Sequence, residues 1–173
     1  MTRLLTLVLV LVIVAAAAAA TSALAHGDAS CSGAQLKGTF NVVRGSAGAG
    51  NITYKLVLEN ASTHMCTLTG LPDGRLLGKT GKALPTHVRA ASPGMLTAIL
   101  VRLAPGKTTF ATARFSPDVP GPGEPTAGKK CEPTAWWFRV TGQGGGTTKV
   151  KVGPPTPVCE HGQLLFSGYS QKG

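Results

Sequence analysis

The chain has 173 residues, 17 Lys and Arg against 7 Asp and Glu, a formal charge of +10, four cysteines and 5% aromatic residues. That length excludes a multi-domain enzyme. The acids (Asp28, Glu59, Asp73, Asp118, Glu124, Glu132 and Glu160) are scattered along the sequence, so the clustering of shifted carboxylates or histidines that acid–base catalysis needs is not visible in it.

Met1-Thr2-Arg3 is a short basic start, Leu4 to Val14 is an unbroken apolar run, and an alanine stretch leads to Ala23-Leu24-Ala25. This is the pattern of a secretory signal peptide over residues 1–25, with a small-x-small cleavage site and a mature start at His26. The alternative is an uncleaved anchor, against which stand the shortness of the run and the good cleavage site after it. Cleavage leaves 148 residues with 16 cations against 7 acids, and removes most of the hydrophobicity of the whole chain. Residues 26–173 then read as a single β-sandwich domain with its core at about 31–166, secreted to the extracellular side.

Cys31, Cys66, Cys131 and Cys159 all lie in the exported part. In an oxidising compartment an even count reads as two disulfides, with three pairings open. A metal site would need close pairs such as C-x-x-C, and the shortest gap here is 27 intervening residues. Nearest-neighbour pairing closes loops of moderate length, each contributing roughly 3–4 kcal/mol by constraining the unfolded chain.

Along the chain the period is two. Phe40 and Val42 alternate with polar neighbours; Ile52, Tyr54, Leu56 and Leu58 alternate with Thr53, Lys55 and Glu59, and Val57 interrupts the polar face. Ile99/Val101/Leu103, Ala111/Ala113/Phe115 against Phe110/Thr112/Arg114, Trp136/Phe138/Val140 and Val150/Val152 repeat the pattern. Turn signals stand between them: Gly45 to Gly50, Pro72-Asp73-Gly74, Pro105-Gly106, Pro117 to Pro125 and Gly142 to Gly146. Leu103-Ala104-Pro105-Gly106-Lys107 predicts one hairpin, and the glycine run at 142–146 predicts another joining the Trp136 strand to the Lys149 strand. Ser116 to Gly128 has too many prolines for a central strand and is expected as a surface loop that can carry function. Leu76 to Leu100 is the least defined stretch: one strand, a short helix or a long crossover. The fold class is all-β, an antiparallel immunoglobulin-like sandwich of about seven to nine strands.

A cysteine opens the domain, a Tyr/Leu/Val strand ends in Leu58-Glu59-Asn60, and Cys66-Thr67-Leu68-Thr69-Gly70-Leu71-Pro72 follows. After the Leu-Ala-Pro-Gly turn at Leu103 to Gly106 come Cys131 and a late Cys159. In this order and spacing the chain resembles the secreted actinobacterial family catalogued as domain of unknown function 4232, over about Cys31 to Phe166. The resemblance implies an exported, sandwich-like domain with two disulfides, in proteins that are secreted or lipid-anchored. It implies no established reaction and brings no catalytic residues. Cys31 lies far from the apolar run, behind Asp28-Ala29-Ser30, which makes it a poor lipid-attachment box and keeps it for a disulfide.

Several constellations carry chemistry that has to be weighed. His26, once an amino terminus, would hold a free amine and an imidazole on one residue, and with one of His64, His87 or His161 would offer three nitrogen ligands to copper. Secreted copper oxygenases that cleave polysaccharides are similar in using an N-terminal histidine on an immunoglobulin-like sandwich; here the plainer reading is an accident of the cleavage site. His64-Met65-Cys66 suggests a soft-metal site, but an oxidised Cys66 leaves only two local ligands, and Met95 is distant in sequence. Trp136-Trp137 is expected to place one indole in the core and the other outside or under a loop, where it can contact carbohydrate or protein. Lys149 and Lys151 share a strand face, Arg139 lies near them if the hairpin is right, and Lys129-Lys130 are adjacent; together they would suit an anionic partner, against the plainer reading of solvated surface charge. The glycine runs lack the following helix of a phosphate loop. Asn51-Ile52-Thr53 and Asn60-Ala61-Ser62 match the glycosylation pattern by coincidence.

The expectation is a secreted, monomeric, non-catalytic protein that binds or serves structurally at the cell envelope, with disulfides Cys31–Cys66 and Cys131–Cys159. No cofactor and no specific nucleic-acid partner are expected. The alternatives are a copper-binding protein or oxidase built on His26, and an adhesion module for anionic cell-wall polymer or carbohydrate.

Overall fold

The computed structural model describes residues 28–95, 99–126 and 130–171. The signal-peptide reading of residues 1–25, His26 and Lys129 therefore lie outside the described residues.

The described chain is all-β, with ten strands: β1 (Leu36–Val42), β2 (Ile52–Asn60), β3 (Cys66–Leu68), β4 (Asp73–Leu77), β5 (His87–Ala90), β6 (Val101–Leu103), β7 (Thr108–Phe115), β8 (Ala135–Thr141), β9 (Thr147–Thr156) and β10 (Gln163–Phe166). Eight of them form one hydrogen-bonded sheet in the order β4-β8-β9-β1-β2-β7-β10-β5, and β3 pairs with β6. β9 is the hinge of the large sheet. It pairs antiparallel with β8 over Thr147–Lys151 and again at Thr156, while Val152 and Gly153 between them pair in parallel with Phe40 and Asn41 of β1. The sheet thus splits into a three-stranded layer, β4-β8-β9, and a five-stranded layer, β1-β2-β7-β10-β5.

The two layers face each other across one apolar core. Phe138 on β8 and Phe166 on β10 are five places apart in the strand order, yet their ring centroids stand 5.8 Å apart. Phe40 touches both, at 5.4 and 6.0 Å, and Tyr54 lies 5.4 Å from it. The inward positions of β2 (Tyr54, Leu56, Leu58) and β7 (Ala111, Ala113, Phe115) follow the period of two and are buried. Small alanines on β7 leave room for the rings opposite. Among the described residues every buried side-chain nitrogen and oxygen has a partner. Asn60, wholly buried at the end of β2, donates from Nδ2 to the carbonyls of His64 and Leu103. That engagement leaves no free amide at the second sequence match to the glycosylation pattern.

Both expected disulfides are present, Cys31–Cys66 and Cys131–Cys159, with Cα separations of 4.8 and 5.4 Å. The hairpin at 142–146 also forms, with Gly145 and Gly146 at positive φ. At 104–107 only the turn forms, with Lys107 N donating to the Ala104 carbonyl and Gly106 at positive φ, because the strands it joins diverge: β6 pairs with β3, and β7 pairs with β2 and β10. Other expectations are corrected. There are ten strands rather than seven to nine, and two pairings, β1/β9 and β5/β10, are parallel. Pro72-Asp73-Gly74 is not a turn, because Asp73 and Gly74 open β4. A Cβ on Gly74 would stand 2.4 Å from the Arg139 carbonyl oxygen and 2.7 Å from the Phe138 ring, so this glycine serves a close strand approach. Ile99 is 58% exposed and precedes β6. Among the described residues of 76–100 are the end of β4, β5 and a 3-10 turn at Pro93–Met95.

Candidate functional site

The outer face of the three-stranded layer carries a cluster of unpaired positive charge. Register fixes it in rows. Arg75 of β4 stands opposite Arg139 of β8, which stands opposite Lys149 of β9. The neighbouring row is Leu77, Trp137 and Lys151, and the row beyond the arginines is Asp73, Thr141 and Thr147. Partners in antiparallel register share a face, so three cations lie side by side across three strands, with a fourth, Lys151, one row away. All four are exposed, and none forms an ion pair with a carboxylate among the described residues. Lys149 Nζ instead lies 4.6 Å from the centroid of the Trp137 ring, a cation–π contact that keeps the indole flat against the face. Like charges directly opposite one another destabilise a sheet, so the row is a local cost that the core carries.

Arg139, Lys149 and Lys151 come together as the hairpin predicted. Arg75 was hidden, because the Asp73-Gly74 pair reads as a turn and so conceals the strand that presents it. Lys130 is elsewhere. It precedes β8, donates to Thr134 Oγ1 at 3.0 Å, and is not part of the strand rows that hold Arg139, Lys149 and Lys151.

The tryptophans depart from the expected core-and-surface division. Both are half-buried, and neither belongs to the core. The β8–β9 register shifts between Ala135 and Trp137, where Val152 and Gly153 of β9 also pair with β1, and the alternation fails there. Ala135 and Phe138, three residues apart, are both wholly buried, so two residues rather than one separate successive buried positions; Trp137 keeps its place in the outer-face row, and Trp136 lies within the irregularity. Lys79 Nζ sits 5.3 Å from the Trp136 ring and Lys149 over Trp137.

The histidines are dispersed. His64 is exposed, with Nδ1 3.1 Å from Thr63 Oγ1, and His87 is the exposed first residue of β5. Neither belongs to a group of three potential ligands among the described residues, whereas His161 does. The carboxylates are less scattered than the sequence suggests. Glu124, from the proline-rich loop, reaches the turn at 159–162, where Glu160 and His161 have left-handed backbone at φ 56° and 57°. Successive left-handed residues point their N–H groups into one concavity, and the Glu124 carboxylate fills it. Its Oε2 accepts from Gly121 N at 2.7 Å and Glu160 N at 2.9 Å, and its Oε1 accepts from His161 N. Burial would raise the carboxyl pKa, but these backbone donors and the nearby imidazole hold it below the usual range. Glu132 is pushed the other way by burial, by the Glu124 charge and by a hydrogen bond to it.

The architecture defines a disulfide-bonded β-sandwich with a cationic, tryptophan-bearing sheet face. A family model described as a domain of unknown function (DUF4232) matches residues 31–165, and the chain belongs to that family. No curated protein and no solved structure matched it. The two disulfides point to an oxidising, extracytoplasmic environment, and among the described residues no helix is long and apolar enough to cross a membrane.

Proposed function

We propose that the protein is a secreted, non-catalytic binding domain that docks an anionic polymer of the cell envelope on the outer face of β4-β8-β9. The observation that carries this reading is the cross-strand row Arg75–Arg139–Lys149, with Lys151 and Trp137 in the adjoining row. Cations placed opposite one another and left without carboxylates suit a ligand that brings its own negative charges at regular spacing. The guanidinium groups can fork onto phosphate or carboxylate oxygens, the lysines act as point charges, and the indole offers a flat apolar contact for the sugar or glycerol between charged groups. The signal-peptide pattern and the disulfides support action outside the cytoplasm.

The test is binding of poly(glycerol phosphate) to the mature protein, followed by Trp fluorescence across a salt series. Four cations engaged on a flexible polyanion give a logarithmic salt slope of about −3, and each cation lost brings the slope closer to zero by about 0.7. Arg75→Gln with Arg139→Gln should therefore weaken binding and flatten the slope, while Lys37→Gln on another strand should not. Absence of binding at low salt, or equal binding by the double variant, overturns the proposal. Salt-insensitive binding of a neutral glycan would instead assign the face to carbohydrate through Trp137.

A further inference from the structure

We propose that Glu124, Glu132 and His161 form a binding site for a divalent transition-metal ion of the zinc class, clipping the proline-rich loop onto the turn at 159–162. His161 Nδ1 stands 3.7 Å from Glu124 Oε1 and 3.9 Å from Glu132 Oε1, and one potential ligand atom from each residue falls within 4.8 Å of the others. Two ligands on a tetrahedral zinc ion, with bonds of about 2.0–2.2 Å, are about 3.3–3.6 Å apart. The nitrogen needs to move by only a few tenths of an ångström, and the two carboxylate oxygens already lie within 4.8 Å of each other.

A second observation, independent of the carboxylates, points to a ligand at the same place. The other ring nitrogen of His161, Nε2, lies 2.9 Å from the Pro122 carbonyl oxygen. A carbonyl can only accept, so Nε2 carries the hydrogen, and in the neutral ring Nδ1 presents its lone pair to the two carboxylates. That is the arrangement of a metal-bound histidine, whose outer nitrogen donates to a backbone carbonyl and thereby fixes tautomer and ring plane. A metal ion on the neutral ring would take the place that a proton holds when His161 is charged and pairs with the two carboxylates.

The electrostatics of the whole chain sharpen the point. In a protein of net charge +10, three of the seven acids, Glu124, Glu132 and Glu160, gather at this turn. Among the described residues, none of the three is paired with a lysine or arginine. Glu160 accepts instead from Gln163 Nε2 at 2.7 Å. The site is also held in advance of any ion. The side chain of Glu124 is 1% exposed and locked by backbone N–H groups, while the Cys131–Cys159 disulfide anchors the residue before Glu132 and the residue before Glu160. His161, with a side chain 53% exposed, closes the solvent side and leaves room for water as further ligand. The mixed nitrogen and oxygen donor set favours zinc-class ions over calcium or magnesium, which prefer oxygen alone.

The experiment is a Zn2+ titration of the disulfide-intact protein, carried in a His26→Ala background so that the chain terminus contributes no imidazole. Calorimetry should give one equivalent bound, and the 15N resonance of His161 Nδ1 should move far more than that of Nε2. Glu132→Gln, which keeps shape and folding, and His161→Ala should each weaken binding tenfold or more, and the rise in Tm with zinc should vanish with them. Full zinc affinity in the folded Glu132→Gln variant, or no heat and no Tm rise in the parent, overturns the site. Because none of these residues belongs to the cationic rows of β4, β8 and β9, Glu132→Gln should leave polyanion binding unchanged, so this proposal and the proposed function fail by different measurements.

Discussion

Arg75 and Arg139 are register partners across β4 and β8, two exposed cations placed side by side on a sheet face where a carboxylate would be the stabilising choice. The outer face of this layer is therefore not arranged for stability.

Charge reversal at one member of the pair should separate stability from binding. Arg75→Glu converts a repulsive cross-strand pair into an attractive one, worth about 0.2–1 kcal/mol in an exposed sheet position. The expected outcome is a Tm raised by a few degrees, most clearly at low salt, together with weaker poly(glycerol phosphate) binding. Thermal melts and binding isotherms on the same preparation check both signs. A variant that loses stability as well as binding would mean that Arg75 serves the fold.

The glycine-rich hairpin between β8 and β9 should tolerate no side chain at two of its positions. Gly144 N donates to the Cys31 carbonyl at 2.9 Å, and Gly33 N donates to the Gly145 carbonyl at 2.8 Å, so the hairpin is sutured to the segment that carries the first disulfide. A Cβ on Gly142 would lie 2.1 Å from Gly33 N, and one on Gly144 would lie 2.3 Å from the Ser30 carbonyl oxygen. Both contacts are with backbone, which cannot rotate away. Gly142→Ala and Gly144→Ala should each cost about 3 kcal/mol through forced backbone separation, measured by urea unfolding. Gly45→Ala, at positive φ but with open space around it, should cost only about 1 kcal/mol of backbone strain.

These contrasts show what a single sequence can reveal and why. The β2 and β7 alternations could be read directly, because both strands bury one face along their whole length and the period of two survives intact. The disulfides are the nearest-neighbour pairing, one of three that chain order leaves open, and Arg139, Lys149 and Lys151 followed from one hairpin. Trp136 and Trp137 could not be assigned, because the β8–β9 register shifts between Ala135 and Trp137, where β9 also takes a parallel partner far away in sequence. The meeting of Glu124 with Glu160 and His161 spans 36 and 37 positions and depends on left-handed backbone at two residues that are not glycine, a conformation that nothing local announces.

Glu124 should be the most costly carboxylate to remove. Its side chain compensates backbone strain at Glu160 and His161 and binds the loop at Gly121 to the turn. Glu124→Ala leaves three donors without an acceptor, and hydrogen bonds to a charged group are worth about 1.5–3 kcal/mol each, in part recovered by water. A net loss of about 2–4 kcal/mol is expected, with proteolytic cleavage appearing between residues 116 and 126. Asp118→Ala, in the same loop and without such contacts, should be near neutral, and limited proteolysis with mass analysis distinguishes the two.

Both tyrosines of the chain are buried, and their ionisation should be tied to unfolding. Tyr54 is wholly buried, with its hydroxyl donating to the Pro154 carbonyl at 2.8 Å, and burial raises its pKa above the ordinary 10.0. Tyr169, 3% exposed, is raised further, by burial first and then by the Asp73 charge. A phenol whose pKa is raised by folding contributes stability that is complete below the unfolded value near 10 and is lost as pH climbs above it, because the unfolded chain then releases a proton that the folded one keeps. Stability measured by denaturant should therefore be insensitive to these groups at neutral pH and fall steeply above about pH 10. The phenolate absorbance band should stay absent until that fall begins and then appear together with loss of the tertiary circular dichroism signal. Tyr169→Phe, which keeps the ring and removes the proton, should shift the alkaline transition to higher pH. Phenolate appearing well before unfolding would mean that the two hydroxyls are reached by solvent in the native state.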